Sequence, residues 1–116
     1  MARTRVDPEE LVLAGVGACQ AVTAALYAAL MGIAITRYEV EARGYLDLRG
    51  FYGLAEPQEG LTGFTRVVCE TRMEADAPHA ELERFQRLVE ERCVGHGTLR
   101  QPVEIESQWQ ITATNR

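Results

Sequence analysis

An α+β domain, with one small-residue helix packed against an antiparallel β-sheet, is the fold class this sequence predicts, and three features predict it. A charge-free run of 21 residues from Leu11 to Met31 carries seven alanines and two glycines. Residues 35–49 and 63–75 alternate apolar and polar side chains with the period of a strand. A helical stripe over 78–94 then precedes a last alternating run over 102–112. The order is helix, strand, strand, helix, strand in one domain over residues 1–116, without internal repeats. A chain of 12.9 kDa exposes about 6,300 Å² when folded against about 18,700 Å² unfolded, so one core forms without staples.

The first helix, expected over 7–32, starts with Asp7 as N-cap, Pro8 in the first helical position and Glu9 and Glu10 in the first turn, where the macrodipole favours anions. Gly32 is its natural stop. Ala14, Gly15, Gly17, Ala18, Ala21, Ala24, Ala25, Ala28 and Ala29 leave nearly every face small, so other backbones can approach closely and the helix is expected at the centre of the fold. Its charge-free run is long enough to span a bilayer, but Gln20, Thr23 and the alanines make it weakly apolar, which favours a buried helix. Arg3 and Arg5 ahead of Val16-Gly17-Ala18-Cys19 loosely resemble a lipid-attachment signal; Asp7, Glu9 and Glu10 stand where such a signal is basic. The expectation is a cytoplasmic protein without membrane contact.

In the first strand Tyr38, Val40, Ala42, Leu46 and Leu48 face one way and Arg37, Glu39, Glu41, Arg43, Asp47 and Arg49 the other. Gly50 to Gly63, with Pro57, reads as a loop or hairpin end. The second run sets Thr65, Val67, Cys69, Thr71 and Met73 against Arg66, Glu70, Arg72 and Glu74, and the two runs pair most simply as antiparallel neighbours. Pro78 opens the second helix, whose stripe of Leu82, Phe85, Leu88, Val89 and Cys93 is expected to stop at Gly95 or Gly97. Val103, Ile105, Ser107, Trp109 and Ile111 form the inner side of the predicted last strand. A net charge of −5 with a pI near 5.0 argues against nucleic acid or an anionic membrane as the main partner.

Cys19, Cys69 and Cys93 lie far apart and form no C-x-x-C pair, so they are core fillers, metal ligands or reactive thiols rather than a disulfide framework. Cys19 is either a small hydrophobe or a thiol reachable between small neighbours. Cys93, near a helix C-terminus, is the poorer nucleophile and the better resolving partner. Cys69, among Val67, Thr71 and Met73, reads as core. Cys93-x-x-His96, with His79 opening the same helix, is one ligand pair where a structural zinc site usually has two. No metal and no cofactor are predicted, and His96 between two glycines reads as a solvated loop residue. No phosphate loop, nucleophile elbow or triad spacing is present.

Asp7-Pro8-Glu9-Glu10-Leu11, Ala14-Gly15 and Ala18-Cys19 resemble the cysteine-bearing central helix of the OsmC/Ohr family, the osmotically induced and organic-hydroperoxide-resistance proteins. Gly32-Ile33 before a long strand, Gly63-Phe64, the Pro78 helix ending in Cys93, Thr98-Leu99 and Pro102-Val103-Glu104 extend the resemblance over about residues 7–111. It implies an intertwined homodimer and a thiol-dependent peroxidase that reduces organic hydroperoxides at the expense of a dithiol. By the same resemblance Cys19 is the attacking thiol, which becomes a sulfenic acid, and Cys93 the resolving thiol that closes a disulfide. Glu9 falls at the position of the family glutamate that orients an arginine beside the thiolate, where a cation favours the charged sulfur.

The family carries that arginine on a β segment ahead of the central helix. Six residues precede Asp7 here, with Arg3 and Arg5 as the upstream candidates, and the chain reads as a short member without the segment. Cys93-Val94-Gly95-His96-Gly97 also departs from the family's Cys-Pro followed by small polar residues. The rival expectation is an OsmC-like protein that lacks the activating arginine and holds an apolar small molecule, with thiol-mediated metal or metalloid transfer as a further possibility.

Overall fold

The computed structural model describes residues 7–54, 56 and 62–114. Its elements are α1 (Pro8–Met31), β1 (Ala34–Leu46), β2 (Phe64–Asp76), α2 (His79–Arg92) and α3 (Val94–Arg100). Asp7 caps α1 in an extended conformation and its N–H donates to Glu10 Oε1 at 2.9 Å, the return half of a capping box. Gly32 ends the helix at φ 69°, a left-handed geometry that glycine adopts without strain, and the Ile33 N–H turns back to the Ala28 carbonyl at 2.9 Å.

Val16, Gln20, Ala24 and Ala28 are the buried positions of α1. Their spacing of four lays them along one stripe, on which small side chains allow close packing. By length and composition α1 could cross a membrane, yet this stripe packs against β1, α2 and α3. Ala24, Ala28, Ile33, Phe85 and Val89 form the core, ringed by Tyr27, Ile35, Tyr38, Met73 and Leu82.

β1 and β2 make a two-stranded antiparallel sheet in which Ala42 lies opposite Cys69 and Val40 opposite Thr71. The register shifts between Ile35 and Arg37 and again between Tyr45 and Leu46. Each shift adds a residue to one strand and resets which side chains face inward. The second removes Thr65 from the inner face and brings Phe64 there instead. The Phe64 ring then occupies the space beside Gly44, where a Cβ would strike it and meet Leu13 Cδ2 at 3.1 Å. On the outer face Glu41 lies opposite Glu70, and Arg43 offsets this repulsion with Nη1 at 3.3 Å from both carboxylates.

Two further expectations change. The second helix stops at Arg92, and Gly95 and Gly97 lie inside the short α3 instead of ending α2. At Gly95 close packing on α1 overrides the low helix propensity of glycine. Residues 102–112, expected as the final strand, carry no ladder in the described protomer, and Ile105, Trp109 and Ile111 each stand about four-fifths exposed. Alternation favours an extended backbone, but a strand also requires an edge to pair with.

Candidate active site

The site is built where α1, the two strands and the α2–α3 corner meet. Cys19 is half-buried in the middle of α1. One turn later Thr23 Oγ1 donates back to the Cys19 carbonyl at 2.7 Å. Cys93 is buried, 2% exposed, and terminates α2 while starting α3. Its N–H donates to the Val89 carbonyl and its own carbonyl accepts from the Gly97 N–H, each at 3.0 Å, so both sides of the corner are pinned.

Two residues beyond Cys93, the Gly95 N–H donates to Cys19 Sγ at 3.2 Å. A Cβ at Gly95 would stand 3.2 Å from Cys19 Cβ and 3.3 Å from Val16 Cα, so only glycine lets the backbone come this close without displacing a neighbour. The segment carrying Cys93 is thereby held against the Cys19 sulfur.

Gln20, the residue after Cys19, is 5% exposed and uses its whole amide. Nε2 donates to Tyr38 Oη at 2.9 Å and to Thr71 Oγ1 at 2.7 Å. Oε1 lies 2.9 Å from His96 Nε2, and an acceptor there requires the proton to sit on Nε2. One amide thus ties α1 to β1, β2 and α3. Burial holds the His96 imidazole below its ordinary pKa, helped by the Arg100 guanidinium and opposed by Glu90. Burial also raises the Tyr38 phenol, against the pull of the Gln20 hydrogen bond.

Cys69 faces inward and is half-buried, in a cleft that it shares with Val16, Val67, Glu90, His96 and Arg100. Burial pushes its thiol up, and the nearby Cys93 adds to the shift, which keeps Cys69 protonated and a poor nucleophile at neutral pH. Glu9 is exposed in the first turn of α1. Ten residues separate it from Cys19, about 15 Å along the helix, so α1 itself keeps the two apart within a protomer. Arg3 and Arg5 lie outside the described residues.

His96 therefore differs from the solvated loop residue expected of it. It is half-buried and bonded to Gln20. Among the described residues no group of three His, Cys, Asp or Glu side chains is gathered as for a metal ion. Gln20, Gly95 and the hydroxyls of Tyr38 and Thr71 join the site without having been expected there. A lone amide at the i+4 step between Val16 and Ala24 was the available signal, since a polar side chain on a buried stripe needs partners.

Helix, antiparallel strand pair and helix, arranged around a cysteine in the middle of the first helix, define an α+β domain with a thiol-bearing central helix. The family profile of OsmC-like proteins matches residues 2–108, and the chain belongs to that family. A hydroperoxide reductase of Mycoplasma genitalium is 27% identical over 94 residues, which are 81% of this chain and 62% of that protein. An OsmC-like protein of Mycoplasma pneumoniae has the same fold, with a TM-score of 0.71 and 23% identity over 84% of this chain and 64% of its own. So has an OsmC-like protein of unknown function from Vibrio cholerae, with a TM-score of 0.65 and 23% identity over 84% of this chain and 60% of that one. This chain spans somewhat less than two thirds of the length of each.

Proposed function

We propose that this protein reduces organic hydroperoxides with Cys19 and Cys93 as its redox pair. The observation that carries the reading is the Gly95 N–H on Cys19 Sγ, which sets the Cys93 corner beside a half-buried thiol. The Cys19 thiolate attacks the distal peroxide oxygen. An S–O bond forms as the O–O bond breaks, and the alkoxide takes a proton and leaves as the alcohol. The Cys93 thiolate then attacks the sulfenic sulfur, an S–S bond replaces the S–O bond, and water departs. An external dithiol returns both sulfurs to thiols and leaves as its own disulfide. The hydroperoxide reductase name of the Mycoplasma genitalium relative supports this substrate class.

The working unit in this proposal is a homodimer. The protomer exposes 9496 Å², against about 6,300 Å² for a compact chain of its mass. Leu11, Val22, Leu26 and Leu30 stand exposed along α1, and Ile105, Trp109 and Ile111 along the extended C-terminal segment. A second copy would cover these faces. The rival small-molecule-binding role has a cleft of about 450 Å³ between α1 and β1, lined by Leu13, Gly17, Ala21, Tyr38 and Val40.

The test is to mix the reduced protein with cumene hydroperoxide and dithiothreitol and to follow peroxide consumption. The parent consumes peroxide catalytically and Cys19→Ser does not. Equal rates for the two proteins would overturn the reading.

A further inference from the structure

We propose that Gly95 supplies the hydrogen bond that activates Cys19, and that His96, anchored on Gln20, is the positioning residue that keeps it there. The inference rests on Cys19 being the reactive thiol. A thiolate is favoured by a donor aimed at it as well as by a nearby cation, and in the described structure the group that donates to Cys19 Sγ is the Gly95 N–H, at 3.2 Å. This donor is part of the backbone, so no side-chain entropy is lost in aiming it.

Its aim depends on how α3 is docked. α3 is a short helix of seven residues that buries none of its own side chains completely, so its apolar contacts alone hold it weakly. The His96 Nε2 to Gln20 Oε1 bond at 2.9 Å fastens it to α1 one residue from Gly95. Gln20 is in turn fixed by Tyr38 and Thr71. The chain of contacts runs from the sheet through Gln20 and His96 to Gly95 and ends on the sulfur. Cys19 and Gln20 are adjacent in α1, so both ends of the loop are anchored on one rigid helix.

Glycine at 95 completes the device, since a Cβ would press on Cys19 Cβ and Val16 Cα at 3.2 and 3.3 Å and lift the N–H away. The titratable groups that face this cluster are Tyr38 from β1, Cys69 from β2, Glu90 from α2, Cys93 at the corner and Arg100 from α3.

The test follows alkylation of Cys19 by iodoacetamide, site by site with mass spectrometry, as a function of pH. His96→Phe keeps a planar aromatic ring without the donor, and His96→Gln keeps a donor. Gly95→Ala alters the approach itself. The expected result is a drop of roughly three- to tenfold in the Cys19 alkylation rate at pH 7 for His96→Phe and Gly95→Ala, the span a weakened charge-assisted hydrogen bond would give. The pH–rate curve moves to higher pH, and His96→Gln largely restores the parent curve. A second measurement needs no variant: the Gly95 amide proton resonance of the parent should move downfield as Cys19 ionises. Unchanged alkylation curves in folded His96→Phe and Gly95→Ala, or a Gly95 resonance indifferent to Cys19 ionisation, would overturn the proposal. None of these readouts uses a hydroperoxide. A chain that consumes no peroxide but shows the Gly95 response removes the peroxidase reading and supports this one.

Discussion

Replacing Gln20 by leucine tests whether one amide holds the site together. The side chain is nearly inaccessible and makes three hydrogen bonds, to Tyr38, Thr71 and His96, at 2.9, 2.7 and 2.9 Å. At about 1 kcal/mol net for each, the leucine variant forfeits about 3 kcal/mol. The apolar surface it buries in exchange returns about 1 kcal/mol, leaving a loss of about 2 kcal/mol. With a urea dependence of about 1–3 kcal/mol per molar for a domain of this size, the unfolding midpoint should fall by about 1 M. Protein concentration must be the same in all samples, because self-association would add to apparent stability. In a Tyr38→Phe background the same substitution should cost about 1 kcal/mol less, since one partner is already absent. A midpoint at or above that of the parent would refute the view that Gln20 braces α1 against both strands and α3.

Two further predictions concern steric fit and protonation. Gly44→Ala should destabilise by about 1–3 kcal/mol, because its Cβ would enter the space of the Phe64 ring; urea titration should show a smaller penalty in a Phe64→Ala background. His96, with its pKa lowered by burial from 6.5, adds a pH dependence to folding. Its neutral form is at home in the fold, so its contribution is complete above about pH 6.5 and is lost as the pH falls through the depressed folded-state value, where the unfolded chain binds the proton more readily. Stability curves of the parent and His96→Gln, compared at pH 7.5 and pH 5, should show the larger loss in the parent, and parallel curves would count against the assignment.

Much of the fold was legible because it rests on local signals. Asp7-Pro8-Glu9-Glu10 and Gly32 mark the ends of α1, and alternation from Tyr38 to Leu46 and from Val67 to Met73 sets the two strands. Alternation alone places Thr65 on the wrong face, because a bulge depends on what the partner strand offers, here the space at Gly44 for Phe64. Gly95 and Gly97 look like stop signals in sequence, yet they lie within α3, where the close approach to Val16 and Cys19 favours glycine at 95. Residues 102–112 show the opposite limit, since alternation specifies conformation without specifying a partner. Within the site, Cys19 and Cys93 could be picked out from residue type and family resemblance. The role of His96 could not, because it comes from a contact with a position 76 residues away; Gln20 carried only the signal of a lone amide on a buried stripe.

The most direct test of the central claim is to map the disulfide that forms when the fully reduced protein receives one equivalent of cumene hydroperoxide. Rapid acid quench, alkylation and peptide mass spectrometry should find Cys19 joined to Cys93, with Cys69 alkylated as a free thiol. A Cys19 that stays reduced, or a bridge that includes Cys69 in place of Cys19, would contradict the account.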